Sequence, residues 1–361
     1  MKFHSCSLSI RSNEGNNMTE LRSIIGLLEE PVNVSAATPS YVNSTENMTT
    51  EILSSSPQDM FPDLHFIGYV MVPFLLAVGL CGNCLTVAII RRSYFLSSTV
   101  RIFLIALALS DTTFILTFPF NKQFVHTMLG MDIRALTVSG CKAFFCFFRS
   151  AKICSSWLVV AISIERFVVI WVPLKAKLIS TTTAGRITVV SIVTVVFIFD
   201  GTWSMTTDVI NNVCLANVVT PGTKDLAMGF VIAGTVIFSV IPVFILLLLT
   251  PLTIVKLLHD RRNRRQMMAP MPNINDDTSR VTLMLLAVTI AYIVMVSPIS
   301  VVHSVAFFNN QNLLETQVPS IVIFREFAQV LEQMNYAVNF FLYVAINSRF
   351  RANLKAFICC T

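Results

Sequence analysis

Seven apolar stretches of bilayer-spanning length, at roughly residues 66–90, 102–120, 143–172, 187–207, 226–258, 281–308 and 318–346, fix the class of fold open to this chain. Each reaches the ~20 apolar residues needed to cross a hydrocarbon core about 30 Å thick. Lipid offers no partner to backbone N–H and C=O groups, so each stretch must satisfy its own and is expected to be an α-helix. Helices buried in a large soluble protein would show flanking polar faces with a 3.6-residue period, whereas these stretches read as apolar nearly all round. The expected fold class is therefore all-α, a seven-transmembrane helix bundle. A hydrophobic fraction of 54% against 13% charge agrees, because it leaves too few polar residues to cover a soluble globule.

The net charge of +6 is explained by where the basic residues lie. They crowd the first loop (Arg91, Arg92, Arg101) and the loop after the third stretch (Lys175, Lys177, Arg186). They recur between the fifth and sixth (Arg261, Arg262, Arg264, Arg265, Arg280) and in the tail (Arg349, Arg351, Lys355). On the other side Lys122, Arg134 and Lys224 are offset by Asp132, Asp208, Asp225 and Glu315. The positive-inside rule then places the N-terminus outside and the C-terminus in the cytoplasm, as an odd number of spans requires. The expected location is the plasma membrane, multi-pass, with lipid rather than nucleic acid as the charge partner.

Three regions follow: residues 1–62, a disordered and glycosylated extracellular head; 63–348, the membrane bundle; and 349–361, an amphipathic cytoplasmic tail. The head holds N-x-Ser/Thr acceptors at Asn17, Asn33, Asn43 and Asn47, on the side the charge rule puts outside. No sustained apolar run follows Met1-Lys2 before Arg11 and Glu14, so the first membrane helix is expected to serve as the insertion signal.

Nine cysteines divide by compartment, with Cys6 left over in the head. Cys81, Cys84, Cys146 and Cys154 fall inside the apolar stretches and read as small buried hydrophobes. Cys141 and Cys214 alone flank the outer membrane face, where an oxidising compartment makes a disulfide between them the economical pairing. Cys359 and Cys360 follow a short amphipathic run and suit thioester lipidation. Enzyme chemistry finds no support. His4, His65, His126, His259 and His303 are scattered without metal-ligand spacing, and there is no Gly-rich phosphate loop or nucleophile elbow.

One set of motifs per stretch completes the pattern. Gly82-Asn83 lies in the first, Leu107-Ala108-Leu109-Ser110-Asp111 in the second, and Cys141 with Glu165-Arg166-Phe167 in the third. Cys214, Pro242, Pro298 and Asn339-Phe340-Phe341-Leu342-Tyr343 follow in order, then Phe350 and the terminal cysteines. In that order and spacing the chain resembles rhodopsin-like (class A) G-protein-coupled receptors from Phe66 to Cys360, and most of all invertebrate neuropeptide receptors of the FMRFamide-like kind. The resemblance implies a receptor for an extracellular peptide, coupled to a heterotrimeric G protein, with arrestin and a receptor kinase as further partners.

The resemblance also assigns roles. Asn83, Asp111, Ser155, Asn335 and Asn339 become a mid-membrane polar network with an allosteric sodium ion at Asp111. Glu165, Arg166, Phe167 and Tyr343 become the coupling switch, with Glu165 restraining Arg166 until the sixth helix swings outward near Pro298. The chain departs from the family at several positions. Phe340 stands where the family has proline, Val296 where it has the switch tryptophan, Val193 near the tryptophan of the fourth helix, and Thr278 where many relatives carry an acid.

Ligand contacts are expected at Phe148, Arg149, Lys152, His303, Phe307, Gln329 and Glu332. Phe148 occupies the position of an amine receptor's aspartate and Gln333 that of the opsin lysine, which argues against monoamines and retinal. Arg149 and Lys152 lie three apart on one helix. They either pair structurally, with Asp200 and Glu332, or meet the ligand. Pro119 and an aromatic rim including Phe120, Phe124, Phe144 and Phe145 suit a short amidated or aromatic peptide. The alternatives are a lipid or small organic anion anchored by Arg149 and Lys152 and, more distantly, a channel or transporter.

Overall fold

Among the described residues, seven long helices and two short ones make up most of the chain. The computed structural model describes residues 62–93, 96–120, 128–216, 229–230, 233–234, 236–266, 274–308 and 319–359. All of these belong to the unit Pro57–Thr361. The four glycosylation acceptors and Cys360 lie outside the described residues, as do the side chains of His303 and Phe307.

The membrane helices are α1 Pro62–Arg92, α2 Ser98–Thr117, α3 Val138–Trp171, α4 Thr182–Ser204, α5 Ile241–Gln266, α6 Ile274–Phe308 and α7 Pro319–Ile346, followed by α8 Ser348–Cys359. Their starts are set locally by hydroxyl and amide caps. Ser97 accepts the Val100 N–H, Thr137 the Gly140 N–H at 2.9 Å, and Thr181 the Ala184 N–H. Asn347 Oδ1 accepts from Arg349 and Phe350 N–H and so breaks α7 from α8. At the end of α2 the α-helix stops at Thr117, and Phe118–Phe120 continue as a 3-10 turn around Pro119. Regular α5 begins at Ile241, later than residue 226, because a π-turn over Val236–Val240 precedes Pro242. Pro242 brings no N–H to a helical ladder, and π-turns accommodate such breaks.

Among the described residues six helices, α1 to α6, are long and apolar enough to cross a membrane on length and composition alone. The expectation of seven uniformly apolar stretches is corrected at α7. That helix buries Arg325, Glu332, Asn335 and Asn339 and turns Ile323, Phe324, Phe327 and Phe341 outward. It is a two-faced helix whose polar side is sheltered by its neighbours, which is how ionisable groups persist at membrane depth.

Close approach of α1 is permitted by glycine. A Cβ on Gly79 would collide with Ile115 and crowd Ala337, and one on Gly82 would come within 3.0 Å of Phe340 Cβ. Phe340, where proline was the family expectation, thus fills the groove that Gly82 opens. Small residues at helix contacts are the usual means of tight packing in lipid, where no hydrophobic force drives helix to helix.

The core joins Ile89, Leu104, Leu158, Met284, Tyr343 and Phe350 across six helices. By contrast α4 buries only Gly185, Val196, Asp200, Trp203 and Ser204, so few residues bind it to the bundle. Of the cysteines expected to be buried, Cys154 is, whereas Cys81 and Cys84 face outward from α1 and Cys146 is half-buried. A thiol that small packs as readily against lipid as against protein.

Between α4 and α5 a β-hairpin, β1 Asp208–Ile210 and β2 Val213–Leu215, pairs Ile210 with Val213 across two turn residues. These are Asn211 and Asn212, with φ of 50° and 59°. A two-residue turn with both φ positive matches the right-handed twist of the strands, and asparagine tolerates it. The Cys141–Cys214 disulfide is present, with Cα atoms 5.6 Å apart, and fastens the hairpin to the start of α3.

Candidate functional site

Successive turns of α3 carry the candidate groups from one end of the bundle to the other. From Cys141 to Arg166 is 25 residues, about 37 Å at 1.5 Å per residue, so the helix spans the membrane between them.

Next to the hairpin lies an aromatic layer. Phe148 stacks on Phe114 at 5.2 Å and on Phe144 at 5.5 Å, while Phe114 also stacks on Tyr336 of α7 at 3.9 Å and on Phe118. Phe120 is exposed, and Phe124 lies outside the described residues. Gln329, expected to meet ligand, is half-buried on α7.

The two cations follow on α3, Arg149 next to Phe148 and Lys152 about one turn deeper. Side chains three apart project about 60° apart around a helix, and here the difference sends them to different partners. Arg149 Nε lies 3.2 Å from Asp200 Oδ1 on α4, and Lys152 Nζ lies 2.6 Å from Glu332 Oε1 on α7. Asp200 is fully buried and its Oδ2 also accepts from Ser150 Oγ, while the Arg149 guanidinium rests 3.7 Å from the Trp203 ring. Trp203, too far out along α4 to replace the missing mid-membrane tryptophan, is buried instead as a platform for Arg149. Arg149 and Lys152 therefore do not form one joint anion cradle. Glu326, a further acid of α7, pairs with its neighbour Arg325.

At mid-depth Asp111 is fully buried. It accepts from Ser155 Oγ at 2.6 Å and Asn339 Nδ2 at 2.8 Å, tying α2 to α3 and α7. Asn83 reaches elsewhere: its Nδ2 donates to the Tyr336 carbonyl at 3.1 Å, tying α1 to α7. The expected single network is thus two adjoining links. Asn335 is buried beside them on α7.

At the far end Arg166 is buried and its Nε donates to Glu165 Oε2 at 2.6 Å. The second Glu165 oxygen accepts from Ser180 Oγ at 2.9 Å, in the segment leading to α4. Phe167 stacks on Trp171, and buried Tyr343 tilts against Phe350 of α8. After α3 a short helix, Pro173–Ile179, presents Leu174 at 83% exposure, an apolar side chain with no cover beside Arg166's end of the bundle.

Two links of α6 were not legible in sequence. Ser163 Oγ and Thr289 Oγ1 lie 3.0 Å apart, buried between α3 and α6. Arg280 donates to Ser348 Oγ of α8 at 2.9 Å. Serine and threonine inside apolar helices usually bond back to their own helix, and each of these hydroxyls lies within reach of its own helix's carbonyl; the one that donates across the gap gives up that bond, and nothing in the sequence marks them as a pair. A net hydrogen bond of about 0.5–1.5 kcal/mol holds α6 to α3 here. Thr289→Val should accordingly lower the stability of the bundle by about 0.5–1.5 kcal/mol. A thermal unfolding midpoint of the purified protein measures it, and an unchanged midpoint would remove this link as a tie between α3 and α6.

Comparison with known proteins places these features in context. The family of seven-transmembrane receptors of the rhodopsin family matches residues 82–343. Galanin receptor 2b of Danio rerio is 23% identical over 301 residues, covering 81% of this chain and 74% of that receptor. The type-1 angiotensin II receptor of Cavia porcellus is 30% identical over 159 residues, 42% of this chain and 41% of the relative. Growth hormone secretagogue receptor type 1 of Rattus norvegicus is 29% identical over 119 residues, 33% of this chain and 31% of the relative. The matched portion is thus less than half of each of the latter two receptors.

Proposed function

Because the chain belongs to the rhodopsin family of seven-transmembrane receptors, and is a receptor and not an enzyme, we propose that it binds an extracellular peptide at the hairpin end of the bundle. It relays that event to a heterotrimeric G protein at the Arg166 end. The N-terminus then lies outside the cell, and the basic loops and α8 lie in the cytoplasm. Relatives named as receptors for galanin and for angiotensin II, each a peptide, support the ligand class.

One observation carries the finer reading: the cations at pocket depth already have carboxylate partners within the protein. An anionic ligand would have to displace Asp200 or Glu332 to gain either cation, and a buried charge left behind is costly. A primary carboxamide fits the Lys152–Glu332 pair without displacing it. Its oxygen accepts from the ammonium and its NH2 donates to the carboxylate. Lys152, with 29% of its side chain exposed, is the reachable partner. The stacked rings of Phe114, Phe118, Phe144 and Phe148 suit apolar or aromatic side chains beside it. An amidated, aromatic-containing short peptide combines these features.

Binding between the outer helix ends favours the open state by its differential affinity, and a bound G protein raises peptide affinity reciprocally. Outward movement of α6, loosened at Pro298 where a helix hydrogen bond is missing, frees Arg166 and opens the face beside Leu174. Arrestin and a receptor kinase are the further partners this reading implies. The donor set at Asp111, a carboxylate with hydroxyl and amide oxygens, is of the kind that holds a hard cation. Asp111, Ser155, Asn335 and Asn339 would hold sodium, whose charge would neutralise the buried carboxylate.

A peptide library presented in amidated and free-acid forms, with a promiscuous G protein as readout, tests the ligand. Amidated members should be at least about tenfold more potent than their acids, one charge-assisted contact being worth ~1.5–3 kcal/mol. Activation by fatty acids and by no peptide would establish the organic-anion reading instead. In parallel, Lys152→Glu and Glu332→Lys should each reduce surface expression, and the swapped double variant should recover it. No recovery would show that the two side chains serve the ligand rather than each other.

A further inference from the structure

Away from the helices, one ion pair is buried in the loop between α2 and α3. Asp132 and Arg134 have side-chain exposures of 3% and 4%, as low as residues of the bundle core. Asp132 Oδ1 accepts from the Arg134 backbone N–H at 3.1 Å and from its Nε at 2.8 Å, while Oδ2 accepts from Nη2 at 2.8 Å. The same Oδ2 also accepts the backbone N–H of Cys214 at 3.0 Å. The other side of the guanidinium lies over the rings of Phe144 and Phe145 on α3, at 5.1 and 5.8 Å. The local fold serves this arrangement. Gly130, at φ 65°, turns the chain into Asp132, which caps the 3-10 turn Ile133–Leu136.

These contacts form an unbroken path from β2 through Asp132 and Arg134 to α3 that does not pass through sulfur. We propose that Asp132, braced by Arg134, is a positioning residue for the ligand entrance: a second, non-covalent fastener that keeps the hairpin docked on α3 when the Cys141–Cys214 disulfide is reduced. The proposal rests on the reading of the hairpin end as the ligand entrance only for its consequence; the fastener is a property of the loop. A reduced receptor of this design keeps the shape of its entrance, and the disulfide adds a covalent constraint rather than the docking geometry.

The charge on Asp132 is secure. Burial pushes its pKa up, but the hydrogen bonds and charge of Arg134, with the Cys214 and Arg134 backbone N–H groups, outweigh that and hold it below the usual carboxylate range. A depressed native pKa contributes stability above the unfolded value, lost only as pH falls through the lower native one. The fastener therefore persists at neutral and mildly acidic pH.

Hydrogen exchange of the hairpin amides, read by mass spectrometry on the full chain in nanodiscs with and without a phosphine reductant, tests this without any ligand. In the wild type, reduction should speed exchange at Val213–Leu215 less than about threefold. Asp132→Ala with the disulfide intact should behave similarly, because sulfur still holds the strand. Asp132→Ala after reduction should exchange at least about tenfold faster, a non-additive loss that independent sites do not show. Asp132→Asn keeps the volume and one acceptor and should fall between, which covers the case in which the alanine variant folds poorly. Wild-type exchange that rises on reduction as far as in Asp132→Ala would overturn the proposal, as would an Asp132→Asn variant indistinguishable from wild type after reduction. Neither outcome bears on whether peptides activate the receptor, so the two readings fail separately.

Discussion

Asp200→Leu should reduce the amount of receptor at the cell surface by more than about tenfold. The substitution leaves the Arg149 guanidinium within the membrane bundle with Trp203 and no counter-charge, and arginine cannot shed its proton to escape. Removing one partner of a buried ion pair costs about 3–5 kcal/mol, a large share of the stability of an ordinary domain. The effect is concentrated because α4 has so few other ties: of its residues only Gly185, Val196, Asp200, Trp203 and Ser204 are buried. Replacing both charges, as in Arg149→Met with Asp200→Leu, should restore most of the surface level, since an apolar pair of similar volume can substitute for a buried ion pair. Flow cytometry on an epitope at the chain's N-terminus measures both. A single Asp200→Leu variant expressed like wild type would remove the pair as the anchor of α4.

Arg166→Ala should abolish agonist-dependent nucleotide exchange, a loss of at least about a hundredfold, while surface expression stays within about twofold. The asymmetry follows from what each partner keeps. Without Arg166, the Glu165 side chain, 9% exposed, still accepts from Ser180, and the space the arginine vacates at the end of the bundle admits water to its carboxylate, so the bundle survives. Coupling, by contrast, loses the one cation that the inner end of α3 holds in reserve beside Glu165. Exchange on purified G protein in nanodiscs, at equal receptor density, separates the two quantities. Normal exchange by the alanine variant would falsify the role given to Arg166. The complementary change, Glu165→Gln, weakens the restraint without removing the arginine and should move basal exchange in the opposite direction.

How much of this was legible beforehand differs by the range of the interaction. The helices and the placement of Cys141 and Arg166 at opposite ends of α3 follow from patterns within about twenty-five residues, where geometry is fixed by 1.5 Å per residue. The disulfide was legible because compartment chemistry left one economical pairing. The polar residues Glu332, Asn335 and Asn339 of α7 were legible one by one, but the sheltered face they share with Arg325 was not. Its charges are tolerated only because neighbouring helices cover them, and that cover belongs to the bundle rather than to the segment.

Partner choice was legible only as one alternative for Arg149–Asp200 and Lys152–Glu332, and not at all for the remaining pairs. Arg149 and Lys152 are near neighbours along α3, yet one turns to α4 and the other to α7, because about 60° of helix rotation decides which neighbour lies within reach. Asn83 took a backbone carbonyl of α7 in place of Asp111, and Asp132 found the N–H of a residue 82 positions away. Ser163 and Thr289 meet across 126 positions with nothing in either neighbourhood to announce it. The sequence alone determined that this chain crosses a bilayer as a bundle of helices and where along each helix its polar groups sit, since hydropathy and helical rise act locally. Tertiary structure alone decided which of those groups neutralise one another, because a hydrogen bond or ion pair exists only at contact distance, and contact between distant segments is made by packing.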